Sequence, residues 1–411
     1  MAQRPITVVL GGSQGDIQPF LYLACELVRA GHPVRICSPG MYQESVEATG
    51  AEFFALSTSD PRQVAREDFA ERQNSGVFAR MKKLTRAAEP SADFLELLLA
   101  ACSGAQLVLC NTVMGMATHV GESLHVPTGI VYFSPFYPTR SFAPPIGPQN
   151  LKLGRTFNLL SHLALQEMYW APNAEWINHW RVDKLHLPPL SRWRPPASPV
   201  VKRFFAFSSS LIPTVPDWPK NNYITGFWFG PRPTFEPSPE LESFLSSGVE
   251  TIAVSFGSVL DERVGAVARQ TIRAARELGF QVIVIGGWGV EVDASPGVYF
   301  ASFLPYSWLF PRVRMVVHAA GCGTCAEVLR AGVPSVTVPF AGEQKFWAQR
   351  LWVSHTGHYP LDWRTANQDV LREALNKVRN DDSLLRAAQS FSAPLLVEDG
   401  IRSTIELLLK N

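Results

Sequence analysis

A surplus of either charge is what this sequence most clearly lacks. Over 411 residues, 37 Lys and Arg stand against 36 Asp and Glu, for a formal charge of +1. Capture of nucleic acid by bulk electrostatics leaves a clear basic excess, so no nucleic-acid partner is expected. Charged residues are 18% of the chain and hydrophobic ones 46%, a balance that excludes disorder and requires a core. Cysteine is sparse as well. Cys25, Cys37, Cys102, Cys110, Cys322 and Cys325 show no framework spacing, which excludes a disulfide-stapled fold. Cys322 and Cys325 form a CxxC with no second pair for zinc and read as small apolar filling. Long apolar runs are missing too. Ile6 to Leu10 is too short for a signal segment and reads as a buried strand. The charge-free stretch from Leu97 to Gly121 is broken by polar residues and reads as a helix end, a strand at Gln106–Cys110 and a new helix. No transmembrane segment is expected. The protein reads as cytoplasmic, with peripheral membrane contact as a further option.

Aromatics are present in number: 11 Trp and 25 Phe. Short apolar runs alternate with amphipathic segments. Strands are expected at Ile6–Leu10, Val34–Cys37, Gln106–Cys110 and Gly129–Phe133, with a helix from Pro19 to Ala30. The region 140–200 breaks this rhythm with aromatics and prolines, and 208–239 reads as a proline-rich linker. The rhythm restarts with strands at Thr251–Phe256, Gln281–Ile285, Arg314–His318 and Ser335–Phe340. Helices are expected at Val264–Leu278, Cys325–Ala331 and Ser403–Lys410. The fold class is therefore α/β, with two Rossmann-like doubly wound domains facing a cleft. The expected division is 1–207, a linker at 208–239, 240–395, and a closing helix at 396–411. Ligands of such sheets bind at the carboxyl ends of the strands.

The strongest motif is His318-Ala-Ala-Gly321-Cys-Gly323-Thr324 between a strand and a helix. Glycines admit a ligand close to the backbone, and a helix N-terminus offers free N–H groups, which together make a phosphate site. Thr324 and His318 add side-chain donors. Glu343-Gln344, after another strand, suits the adjacent hydroxyls of a sugar. Ser255-Phe256-Gly257-Ser258 offers a second N–H and hydroxyl pair. Gly11-Gly12-Ser13-Gln14-Gly15-Asp16 opens the first helix. It lacks both the GxGxxG order and the GK[ST] of a P-loop. Asp16 reads locally as an N-cap and chemically as a general base at the cleft mouth. No HExxH or carboxylate cluster implies a metal, and no GxSxG implies a hydrolase elbow. Arg80, Lys82, Lys83 and Arg86 read as a solvated helix face.

Taken in order, these residues resemble the GT-B glycosyltransferases, in the branch that holds sterol glucosyltransferases and glycopeptide-antibiotic glycosyltransferases. Gly12-Ser-Gln-Gly-Asp16-Ile-Gln-Pro19 is similar to that family's GSRGDVQP, and Ala30-Gly31-His32 with Val34-Arg35 to its AGHxVR. Pro135, Pro138-Thr139-Arg140 and Phe142 are similar to PxxPTRxFP. Asn178-His179-Trp180-Arg181 and Leu185-His186-Leu187-Pro188 resemble NxxR and LxLP. Asp217-Trp218-Pro219 and Thr225–Phe229 resemble the linker. Phe303 to Pro311 is similar to VPHDWLFP, and His318–Thr324, Gly332-Val333-Pro334 and Gly342-Glu343-Gln344 to HHGGAGT, GVP and GDQ.

The resemblance implies inverting transfer of a hexose from a UDP-sugar, usually UDP-glucose, as co-substrate. No cofactor and no metal would be required. Asp16 would be the base. Gly12, Ser13, Gly15, Gly257, Ser258, Phe303, Leu304, His318, Gly321, Gly323, Thr324, Glu343 and Gln344 would bind the donor. The acceptor would be a lipophilic terpenoid, sterol or polyketide hydroxyl, with Phe133, Phe136, Phe142, Tyr169, Trp170 and Trp176 as pocket candidates. Gln14 for arginine, Ala320 for glycine, Tyr306-Ser307 for His-Asp and Glu343 for aspartate depart from the pattern. A nucleotide-sugar epimerase and a non-catalytic binder of lipid or nucleotide sugar are the alternatives.

Overall fold

A computed structural model describes residues 3–57, 90–147, 149, 153–191, 201–257, 262–286, 295–340 and 342–410. The basic stripe at Arg80–Arg86, Trp193 and Ser258 lie outside the described residues. The first sheet holds β1 (Ile6–Val9), β2 (Val34–Pro39), β3 (Glu52–Ser57), β4 (Leu107–Asn111), β5 (Thr128–Tyr132), β6 (Val201–Phe205) and β7 (Asn222–Ile224). Their spatial order is 3-2-1-4-5-6-7. The second holds β8 (Thr251–Ser255), β9 (Gln281–Ile285), β10 (Val298–Ala301), β11 (Met315–His318) and β12 (Ser335–Thr337), ordered 10-9-8-11-12. All pairings are parallel. Central strands such as β1 and β4 are buried along their whole length, as expected of strands covered on both faces.

The helices of the first half are α1 (Gln14–Arg29), α2 (Gln43–Glu47), α3 (Ala92–Cys102), α4 (Ala117–Ser123), α5 (Arg155–Trp170) and α6 (Ala174–Asp183). Those after it are α7 (Pro239–Leu245), α8 (Glu262–Glu277), α9 (Tyr306–Leu309), α10 (Cys322–Ala331), α11 (Gln344–Val353), α12 (Gln368–Asn380), α13 (Asp382–Val397) and α14 (Gly400–Leu409). No described helix is long and apolar enough to cross a membrane.

Three departures from the sequence reading have local causes. Helix α1 starts at Gln14 rather than Pro19. Pro19 lacks the N–H that would reach the Gly15 carbonyl, yet the turn before it is held by its cap. The described part of the aromatic region 140–200 contains two helices, α5 and α6. Its NxxR arginine, Arg181, is 1% exposed. It bonds both Glu122 oxygens at 2.9 and 3.1 Å and the Pro188 carbonyl at 3.1 Å, a strut between α4 and α6. Within 208–239, Asn222–Ile224 adds an edge strand to the first sheet.

The chain crosses back at its end. Ile401 and Leu408 of α14 pack into the apolar cluster of β1 and α1. The Trp228 indole donates to Thr404 at 3.1 Å. At the crossing, Glu398 accepts from the Phe227 N–H at 2.8 Å. A Cβ on Gly400 would lie 2.5 Å from the carbonyl oxygens of Gly226 and Phe227. Backbone oxygens cannot swing aside as a side chain can. Gly400→Ala is therefore expected to lower stability by about 2 kcal/mol through overpacking, read as a fall in the urea midpoint. An unchanged midpoint would mean the crossing is loosely packed.

Candidate active site

An open parallel sheet forms a crevice where its strand order reverses. The first sheet reverses between β1 and β4, the second between β8 and β11. The glycine loop after β1 and the His318 turn after β11 both stand at these points.

The first loop is built around one carboxylate. Ser13, extended at φ −88° and ψ 178°, is the N-cap of α1. Its N–H and its hydroxyl donate to Asp16 Oδ2 at 2.8 and 3.0 Å. Asp16 is thus the third helical residue, half of a capping box, and not the cap itself. Gly12 has φ +102°, and a Cβ there would sit 2.5 Å from Asp16 Oδ2. Only glycine lets the loop close over the carboxylate. Asn111, 1% exposed at the end of β4, donates to the Gly11 carbonyl at 2.7 Å and accepts from the Met114 N–H at 3.1 Å. It fixes the loop from the neighbouring strand. Burial raises the pKa of Asp16 against the opposing pull of its two Ser13 bonds. Gln14, in the arginine position, is exposed and bonds Gln18.

The second loop sets a buried imidazole beside glycines that border free volume. His318 is fully buried, and its Nδ1 accepts the Ala320 N–H at 3.1 Å. Burial pushes its pKa down to about 3. The ring is therefore neutral, with its proton on Nε2, and Nε2 has no partner among the described residues. Ala320 holds φ +62°, a left-handed conformation that costs an alanine roughly 1–2 kcal/mol. Gly321 caps α10. A Cβ on Gly257, Gly321 or Gly323 would meet nothing within 4 Å, so these glycines border free volume. The N–H groups of the first turn of α10, Gly323 and Thr324 included, lack helical partners by geometry. The Thr324 hydroxyl is turned to Tyr306, whose phenol also meets Ser255 Oγ at 2.7 Å. Phe303 is 74% exposed, whereas Leu304 is buried.

The two halves meet at Glu343. It is the N-cap of α11 and accepts from the hydroxyl of Ser134, two residues past β5. Burial is the main reason its pKa is raised, and the charge of Asp16 adds to it. The charge of Asp16, read separately from Glu343 in the sequence, thus reaches it across the cleft. Gln344 folds back, its Oε1 accepting the Phe340 N–H at 2.8 Å. Cys322 and Cys325 are free thiols beside Glu343, both pushed up by burial. Asn111, Ser134 and Trp347 escaped the sequence reading. The one visible signal was a polar residue closing an otherwise apolar strand, as in Leu-Val-Leu-Cys-Asn111.

The six acceptor candidates are dispersed. Phe133 packs edge-on to Phe20 and Trp228 in the first core. Phe142 meets His162 and, across the halves, Phe346. Phe136 is half-buried beside them, bonded through its N–H to the Ser134 carbonyl. Trp170 is buried and donates to the Ser191 carbonyl, and Trp176 donates to Asn173. Tyr169 is 42% exposed.

Residues 6–143 match the glycosyltransferase family 28 N-terminal domain. Residues 218–393 match the UDP-glucoronosyl and UDP-glucosyl transferase family. A sterol 3-beta-glucosyltransferase of Candida albicans is 26% identical over 98% of this chain and 27% of its own length. One of Arabidopsis thaliana is 26% identical over 99% of this chain and 65% of its own length. The chain spans about a quarter to a third of the fungal relatives, 27% and 33% in two of them. The solved glycotransferase of kitacinnamycin superposes with a TM-score of 0.72 at 19% identity, covering 100% of both chains. The calicheamicin glycosyltransferase gives 0.70 at 19%, covering 100% of this chain and 99% of its own. The fold is GT-B, and along the one chain a stretch similar to the glycosyltransferase family 28 N-terminal domain is followed by one similar to the UDP-glucoronosyl and UDP-glucosyl transferases.

Proposed function

We propose that this protein is an inverting glycosyltransferase that moves a hexose from a UDP-sugar, glucose first among them, to a hydroxyl of a sterol-like lipophilic acceptor. One observation carries the reading: the charge of Asp16 on the first half reaches Glu343 on the second, in a site where Gly257, Gly321 and Gly323 border open space. Asp16 takes the acceptor proton as the oxygen bonds to the anomeric carbon. The bond from that carbon to the diphosphate oxygen breaks with its electron pair. His318 Nε2–H, the Gly323 and Thr324 amides and the dipole of α10 receive the developing diphosphate charge. Gly12, Ser13 and Gly15 shape the wall opposite, and Gly257 and Ser258 add a second backbone contact to the diphosphate. Phe303 and Leu304 hold the base, and Glu343 and Gln344 the sugar. The sterol preference is carried by the relatives, which are sterol 3-beta-glucosyltransferases, and Phe133, Phe136, Phe142, Tyr169, Trp170 and Trp176 belong to the acceptor half in this reading. No metal takes part, and the cytoplasm is the compartment. The division at 207, 239 and 395 is part of the same proposal.

The test is incubation with several nucleotide sugars and a mixed sterol, terpenoid and polyketide panel, read by mass. A hexose increment on a hydroxylated acceptor is expected, largest with UDP-glucose and a sterol. Release of an epimer or free sugar without acceptor, or donor binding with no transfer to any compound, would overturn it.

A further inference from the structure

We propose that Ser134 is a positioning residue for the donor sugar: placed by the first half just past β5, it fixes the carboxylate of Glu343 on the second half. The inference rests on the sugar-reading role given to Glu343 above.

The orientation follows from counting protons. Ser134 is 1% exposed, and its Oγ accepts the indole N–H of the fully buried Trp347 at 2.9 Å. An indole only donates, and a hydroxyl has one proton with two acceptor sites. The indole therefore occupies one lone pair of Ser134 and leaves its single proton free for Glu343, which receives it. Trp347 is four residues after Glu343, so both lie on one face of α11. The same face carries Phe346 against Phe142 of the first half, ring centroids 5.8 Å apart. Helix α11 is thus the edge along which the halves dock, and Ser134 is the polar point of that edge.

The other groups acting on Glu343 do not hold it. Asp16 from α1 raises its pKa, and Cys322 and Cys325 from α10 are both coupled to its charge. Among the described residues no cation acts on it. In such surroundings a carboxylate without a donor would turn toward water or take up a proton. With one oxygen held by Ser134, the carboxylate keeps a single orientation from which it can meet the sugar. Sugar reading is then tied to apposition of the halves, because separating them breaks both Ser134 bonds at once.

The experiment compares full-length wild type, Ser134→Ala and Ser134→Thr. Calorimetry gives the affinities for UDP-glucose and for UDP, and rates give the pH profile of kcat/KM for the donor. Ser134→Ala is expected to weaken UDP-glucose about tenfold, the worth of one bond to a charged group, while UDP binding stays as it was. Loss of a bond to the ionised form raises the pKa of Glu343, so the acid limb of the profile moves to higher pH. Ser134→Thr, which keeps the hydroxyl, restores both. An unchanged ratio of UDP-glucose to UDP affinity in Ser134→Ala overturns the inference, as does a threonine variant as weak as the alanine one. Trp347→Phe frees the Ser134 hydroxyl and is expected to lose part of the same ratio; no loss would also count against it. A wild type that binds UDP-glucose but transfers nothing fails the proposed function and leaves the affinity comparison standing. Full transfer with an unaltered Ser134→Ala ratio fails this inference alone.

Discussion

Asp16→Asn is expected to lower kcat by about 10²–10⁴-fold, the usual worth of a positioned general base, with donor affinity little changed. Asparagine is the informative substitution because its side-chain carbonyl can still accept from the Ser13 N–H and hydroxyl, now at 2.8 and 3.0 Å. The cap and the loop survive while basicity is lost. Alanine would remove both and mix stability with chemistry. The pH profile supplies an independent reading. Burial raises the pKa of Asp16, and a base works only when deprotonated. Activity should therefore fall as pH drops through a value above the ordinary carboxylate range. The charge of Asp16 also raises the pKa of Glu343, so loss of that charge in the asparagine variant should let Glu343 ionise more readily. Turnover of the asparagine variant within tenfold of wild type would end the assignment of Asp16 as base.

His318→Ala is expected to cost about 10²-fold in kcat/KM, in the range found for removal of one donor to developing negative charge. The Nε2–H is buried and unpartnered among the described residues, so an anion beside it would gain a bond at little reorganisation. The ring titrates near 3, far below working pH. It therefore acts as a neutral donor, and no inflection between pH 5 and 8 should vanish with it. Unchanged kcat together with unchanged donor KM would remove His318 from the site. A limb near pH 6.5 that disappears in the variant would show a charged imidazole instead.

Much of this was legible in the sequence because the strands at the two switch points are central and buried. Ile6–Val9, Leu107–Asn111, Thr251–Ser255 and Met315–His318 lie within a residue or two of their expected bounds. Their apolar runs end where polar loop residues begin. Four strands escaped notice: β3, β6, β7 and β10. All but β6 lie at sheet edges, β7 and β10 are only three and four residues long and partly buried, and β6 carries Lys202 and Arg203 within its apolar run. Short edge segments carry little of the pattern that identifies a strand. The same logic divides the site. Asp16, His318 and Glu343 stood out as ionisable groups beside glycines. Ser134 gave no such signal, because its role depends on Trp347, 213 positions away. Tyr306 looked like a loss from the family pattern, yet its phenol ties Ser255 at the end of β8 to Thr324 at the start of α10. The acceptor aromatics were the least readable, since composition gives no direction to a ring. Trp170 and Trp176 spend their indole N–H groups on local bonds.

The return of α14 to the first core has a consequence for how the protein is made. Ile401 and Leu408 complete a cluster otherwise supplied by residues 6–228. On the ribosome, where domains tend to fold in the order they emerge, the first half would wait with that surface uncovered. Its closing piece arrives only after the whole second sheet has been translated. The gap between Trp228 and Thr404, 176 positions, is thus also a delay of about 10–35 seconds at roughly 5–20 residues per second.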